Sequence, residues 1–216
     1  MNEFLDVSED ITWRKEQLLT CKVLPFLHNF TSSHKEFLIK YSIPIVYSLW
    51  EGFVQNAFQT YVRELNKLNL GRLDYCNNII LHTFETKFPQ FKEYPSEYKR
   101  RERFIIGLQS FLDGQFEVTN KIDTESNVGL EVLNKLLNKF NLEEIPSYPY
   151  KQELKNLLMY RNRISHGDIS LVIDANNIDD FISRINDFIK LIEDLMDLIL
   201  VRFKEGFNSR ESYLKN

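Results

Sequence analysis

The chain has 216 residues, 43% of them hydrophobic and 27% charged, enough for one domain with a sizeable core and no staples. A net charge of −4 excludes a generic polyanion binder, so any nucleic-acid contact has to come from a local basic patch. Cys21 and Cys76 form neither a metal spacing nor a disulfide framework, which points to a reducing, cytoplasmic setting with no metal and no cofactor. The opening Met1–Asp6 stretch is acidic and lacks the basic start of a signal peptide. The longest apolar run, Ile43 to Trp50, is about eight residues, contains Pro44 and is far too short to span a membrane.

Few glycines (7) and prolines (6) among many Leu, Ile, Glu, Lys and Asn residues favour helices throughout. The first is predicted over Ser8 to Phe30, where Trp13, Leu18, Leu19, Leu24 and Leu27 recur near helical spacing and Pro25 kinks or ends it. After the break at Thr31–Ser33, Ser33 and Glu36 have capping-box spacing, and a helix is predicted from His34 to Leu68, closed by Gly71. Residues 72–127 read as an insertion or lid, with helical pieces at Asn77–Phe84 and Ser96–Leu112 and a strand or loop at Phe116–Thr119. A further helix is expected over Val128–Phe140, ended by Asn141, and another over Tyr150–Ser165 after the turn at Pro146 and Pro149. Ile169 to Ile173 is β-branched and short, an extended piece, and Asn177 with Asp180 marks the next cap. The last helix shows the widest apolar stripe, from Ile178 to Phe203; residues 207–216 read as a flexible polar tail. Trp13 and Trp50 are both expected in the core.

The stretch Arg161-Asn162-Arg163-Ile164-Ser165-His166-Gly167 brings together a titratable imidazole, a fixed cation and a helix stop. Arg161 and His166 lie roughly 140° apart around a helix, while Asn162 and His166 share a face. His166 falls in the last turn, where free carbonyls favour a cation. An arginine binds phosphate oxygens bidentately, and a histidine can take a proton from a ribose 2′-OH or return one to a leaving 5′-oxygen. The pair suits metal-independent RNA cleavage by internal transesterification, a chemistry that needs the 2′-OH.

Three other features carry candidate roles. Glu51 interrupts the apolar run Ile43–Phe53, either to pair with Arg161 or His166 or as a charge on a solvent face. Lys99, Arg100, Arg101 and Arg103 form the densest basic cluster, with Tyr94, Tyr98 and Phe104 near enough to stack bases; the plainer alternative is a solvated helix face. Arg163 is a secondary candidate for phosphate contact.

The Arg161-Asn162-Arg163-Ile164-Ser165-His166 arrangement resembles the motif of the HEPN superfamily of all-helical nucleases. Ser42–Phe53 and Asn127–Leu137 look like its MAE-type branch, associated with bacterial defence. The resemblance implies a single all-α domain over 1–216, an up-down bundle of four to five core helices with a mid-chain insertion. It implies a homodimer whose facing motif helices make a composite cleft, with Arg161 and His166 catalytic and Asn162 orienting. It also implies an RNA substrate and an antitoxin or defence-system partner, for a toxin or anti-phage effector; the alternative is a non-catalytic module that binds RNA or nucleotide, or scaffolds a defence complex. In some members a Tyr two positions after the His is modified by a partner nucleotidyltransferase. Asp168 stands there in this chain, so that form of control is not expected.

Overall fold

The computed structural model describes residues 4–89, 96–168, 170–171, 173–174 and 176–215. Among them run seven α-helices, α1 (Leu5–Leu27), α2 (Ser32–Lys67), α3 (Asn77–Lys87), α4 (Tyr98–Asp113), α5 (Leu130–Lys139), α6 (Ser147–Ser165) and α7 (Ile178–Ser209), with a 3-10 turn at Arg72–Asp74 and no strand. The fold is an all-α helical bundle.

Its axis is α2, 36 residues and so about 54 Å long. Ile39, Ile43, Val46, Tyr47, Trp50, Phe53, Val54, Ala57, Phe58, Tyr61, Val62 and Leu65 are all buried, a pattern too wide for a one-sided surface helix. Helices α1, α6 and α7 pack around it, while α5 bridges α3 and α6. On α1 the inward face is Val7, Ile11, Arg14 and Leu18, at helical spacing. Arg14 is 8% exposed; it holds Asp10 at 3.0 Å and donates to the Leu49 carbonyl at 2.7 Å. Trp13, expected inside, is 50% exposed on the neighbouring face, whereas Trp50 is fully buried. Near the far end of α2, Tyr61 contacts the rings of Phe4, Phe140, Phe203 and Phe207, joining three helices and the chain's start.

Several boundaries differ from the sequence expectation for definable reasons. The cap of α2 is Thr31, whose hydroxyl accepts from the His34 N–H at 3.4 Å, so Ser33 is already inside the first turn. Pro44 does not break α2, because burial of the flanking turns outweighs one lost hydrogen bond. The end of α2 is turned by Asn69 at φ 49°, not by Gly71, which instead starts the 3-10 turn and donates its N–H to Asp74 at 2.8 Å. Asn141, at φ 49°, does end α5 as expected. Asn177 begins α7, yet no side-chain cap bond is made there; its Oδ1 accepts from the Asp174 N–H at 3.0 Å.

Phe116–Thr119 is neither helix nor strand. Val118 gives its N–H to Asn66 and receives the Asn66 amide on its carbonyl, both at 2.9 Å, the pair of bonds a neighbouring strand would make. The extended piece expected over 169–173 lies partly outside the described residues; Leu171 and Ile173 are buried. The polar tail is docked, contrary to expectation. Ser212 and Tyr213 are buried, Cys76 N–H donates to the Tyr213 carbonyl at 2.8 Å, and Lys215 N–H to that of Asp74 at 2.8 Å.

Candidate functional site

Helix α6 turns Leu154, Leu157 and Ile164 into the core and ends at the candidate motif. His166 is the C-cap residue, and its N–H reaches the Asn162 carbonyl at 2.9 Å. Gly167 follows in the left-handed region at φ 69°. Its N–H bonds the Ile164 carbonyl at 3.1 Å, and the Asp168 N–H bonds that of Arg163 at 2.9 Å. These two bonds are a Schellman closure, which requires a residue tolerant of positive φ just past the cap. The closure leaves the His166 side chain exposed at the tip of α6. Its ring bonds no other side chain among the described residues.

Arg163 does not share that openness. Its Nε–H donates to Asp168 Oδ2 at 2.7 Å and its Nη2 to Ser170 Oγ at 2.9 Å. The other Asp168 oxygen accepts from the Ser170 hydroxyl at 2.6 Å and backbone N–H at 2.8 Å. The Ser170 hydroxyl and then Arg163 hold the Asp168 carboxyl at about 2. Lys40 of α2 secures the next stretch by donating to the Leu171 carbonyl at 2.9 Å.

Arg161 turns toward α2. Its guanidinium lies over the Tyr47 ring, 4.6 Å from the centroid, and Nη1 donates to Asn162 Oδ1 at 2.7 Å. Tyr47 is buried, and its hydroxyl oxygen accepts from the Val128 N–H at 2.9 Å. Trp50, one turn along, donates its indole N–H to the Val128 carbonyl at 2.8 Å. Burial pushes the Tyr47 phenol upward, and the Glu51 carboxylate adds to this; the Val128 bond and the Arg161 charge oppose it.

Glu51 forms no ion pair with Arg161 or His166 among the described residues. Its contact is the Thr124 hydroxyl at 3.5 Å, so it faces the turn before α5 rather than bonding the motif side chains. Tyr47, Trp50 and Glu51 thus meet one short turn, Thr124–Val128, along one stripe of α2. Sequence reading missed Tyr47 and Val128; the available signal was that Tyr47 stands four residues, one helical turn, before Glu51.

The basic cluster lies elsewhere. Lys99, Arg100, Arg101 and Arg103 are exposed on α4, which is anchored through Phe104 and Phe111 on Phe88. Arg100 pairs with Glu97 at 3.2 Å, and Tyr98 is 78% exposed beside them; Tyr94 lies outside the described residues. Helix α6 packs on α2, α5 and α7, so within one chain the cluster and the motif occupy separate helices. No group of three His, Cys, Asp or Glu side chains able to hold a metal occurs among the described residues. None of the described helices is long and apolar enough to cross a membrane.

Residues 9–200, nearly the whole bundle and the entire motif helix, match the family described as RiboL-PSP-HEPN. The chain belongs to the RiboL-PSP-HEPN family. Comparison with curated proteins and with solved structures found no match.

Proposed function

We propose that this HEPN protein is a metal-independent RNA endonuclease, acting as a bacterial toxin or anti-phage effector. The observation that carries the reading is the division of labour at the end of α6. Arg161 is fixed against Tyr47 and Asn162, while His166, about 7.5 Å further along the helix axis by backbone rise, is exposed, its ring bonding no side chain among the described residues. A guanidinium held in place can stabilise the charge that grows on a pentavalent phosphorus. A free imidazole can take the 2′-OH proton or protonate the departing 5′-oxygen. The O2′–P bond forms as the P–O5′ bond breaks, leaving a 2′,3′-cyclic phosphate. Asn162 orients Arg161, and Glu51 supports the site through the Thr124 turn. A homodimer with facing α6 termini would supply two such sets to one cleft. Lys99, Arg100, Arg101 and Arg103 are proposed to hold the RNA backbone, with Arg163 in a lesser part because Asp168 already occupies it. A MAE-type affiliation within the superfamily rests on the Ser42–Phe53 and Asn127–Leu137 segments alone.

The test is an RNA cleavage assay in EDTA with wild type, His166→Ala and Arg161→Ala. Wild type is expected to cut and leave cyclic-phosphate ends, and both variants to be inactive with unchanged helical circular dichroism. Undiminished cutting by His166→Ala would sink the mechanism. A second reading, a non-catalytic module that binds RNA or nucleotide or scaffolds a defence complex, is favoured by the net charge of −4 and the closed Arg163–Asp168 pair. Tight RNA binding without cleavage in the same assay would select it.

A further inference from the structure

We infer that Tyr47 is the positioning residue of Arg161, its ring face setting where the guanidinium stands. The catalytic consequence rests on the ribonuclease reading; the seat itself does not. An arginine on a helix surface is a long side chain with many rotamers, and a catalytic cation has to be held in advance. Here it is held from two directions, by the ring face below and by the Asn162 amide oxygen at its edge. That arrangement consumes one of the five guanidinium N–H donors and leaves the others for phosphate oxygens.

The ring can serve as a seat because it is itself immobile. Its hydroxyl oxygen accepts from the Val128 N–H, and Trp50, one turn away, donates its indole N–H to the carbonyl of the same residue. Glu51 and the Thr124 hydroxyl close the other end of the turn, in which Glu125 and Ser126 both adopt positive φ. The chemistry of each group is specific. Phenylalanine would keep the ring face and lose the Val128 anchor; leucine would lose both.

The experiment follows the Arg161 guanidinium by NMR in arginine-labelled protein, its signal assigned by its disappearance in Arg161→Lys. In wild type the Arg161 side-chain protons are expected to be displaced upfield by the Tyr47 ring current. The displacement should persist in Tyr47→Phe and vanish in Tyr47→Leu. In the cleavage assay Tyr47→Leu should lower kcat by about ten- to a hundredfold with KM little changed, and Tyr47→Phe should recover most of that loss. Wild-type Arg161 protons at ordinary positions would overturn the inference whether or not Tyr47→Leu folds. So would equal losses in the Phe and Leu variants. A displaced Arg161 signal in a protein that cuts no RNA would instead remove the ribonuclease reading and leave the seat standing.

Discussion

Gly167 adopts φ 69°, and a Cβ built there would meet nothing within 4 Å. The cost of a side chain is therefore conformational alone. Gly167→Ala is expected to lower stability by about 1 kcal/mol, and Gly167→Asn by less, measured by urea unfolding. Next to it, Asp168 is an ionic clasp with a defined acid limit. Its carboxyl titrates at about 2 instead of 3.8, so whatever the clasp contributes is present above 3.8 and is lost as pH falls through about 2. A carbon-13 titration of the Asp168 carboxyl should show this, and Arg163→Gln should move the midpoint back toward 3.8. At this scale the placement of Arg161, Asn162 and His166 together at one helix end was legible in the sequence, since they are near neighbours along the chain. The seat was not, because Tyr47 and Val128 reach Arg161 only through tertiary packing, which spacing along the chain does not encode. Glu51 stood out as a charge in an apolar run, but its bonding partner is a threonine in a turn that sequence left undefined.

Among the elements, α3 carries a device the motif reading does not use. His82 is 3% exposed, with Nε2 on the Thr119 carbonyl at 3.1 Å and its ring 5.0 Å from that of Phe140. Burial holds its pKa below 6.5; the Thr119 bond pulls the other way, Lys139 lowers it and Glu85 raises it. A buried neutral histidine contributes stability that is complete above 6.5 and declines as pH falls toward the depressed folded value, because the unfolded chain binds the proton first. The thermal midpoint should fall on acidification from pH 7 to 5, and His82→Gln should flatten that slope. Helix α4 is a different case, with Phe104 its one buried residue and the basic side chains in solvent. Reversing Lys99, Arg100, Arg101 and Arg103 to Glu should weaken RNA affinity and flatten its salt dependence while leaving the thermal midpoint nearly unmoved. The existence of every helix was readable from apolar spacing and breakers. Their ends were less so, because a Thr hydroxyl and an Asn in the left-handed region did the work expected of Ser33 and Gly71.

Across the whole molecule, the segment after Gly206 shows what composition could not reveal. Ser212 is polar, yet it is 2% exposed, donates to the Gly206 carbonyl at 2.7 Å and shares a hydrogen bond with the buried Tyr61 hydroxyl at 2.8 Å. A Cβ at Gly206 would stand 2.3 Å from the Leu142 side-chain tip and 3.1 Å from the Ser212 Cβ, so a side chain there would have to push Leu142 aside. Ser212→Val should cost about 1–3 kcal/mol in urea unfolding by stranding the Tyr61 hydroxyl. A polar sequence therefore looked like a tail because its partners lie on α2 and in the stretch before α3, far away in the chain. The long α2 carries a last consequence. From Val46 to Leu65 its apolar side chains are buried or half-buried, while at its start Phe37, Tyr41 and Ile45 lie open to solvent. Pro44 removes one rung between the two arms. In native-state deuterium exchange a single continuous helix should therefore keep two clocks. Amides near Phe37 will open by local fraying within a small fraction of the unfolding free energy, and those near Phe58 only when the whole domain comes apart.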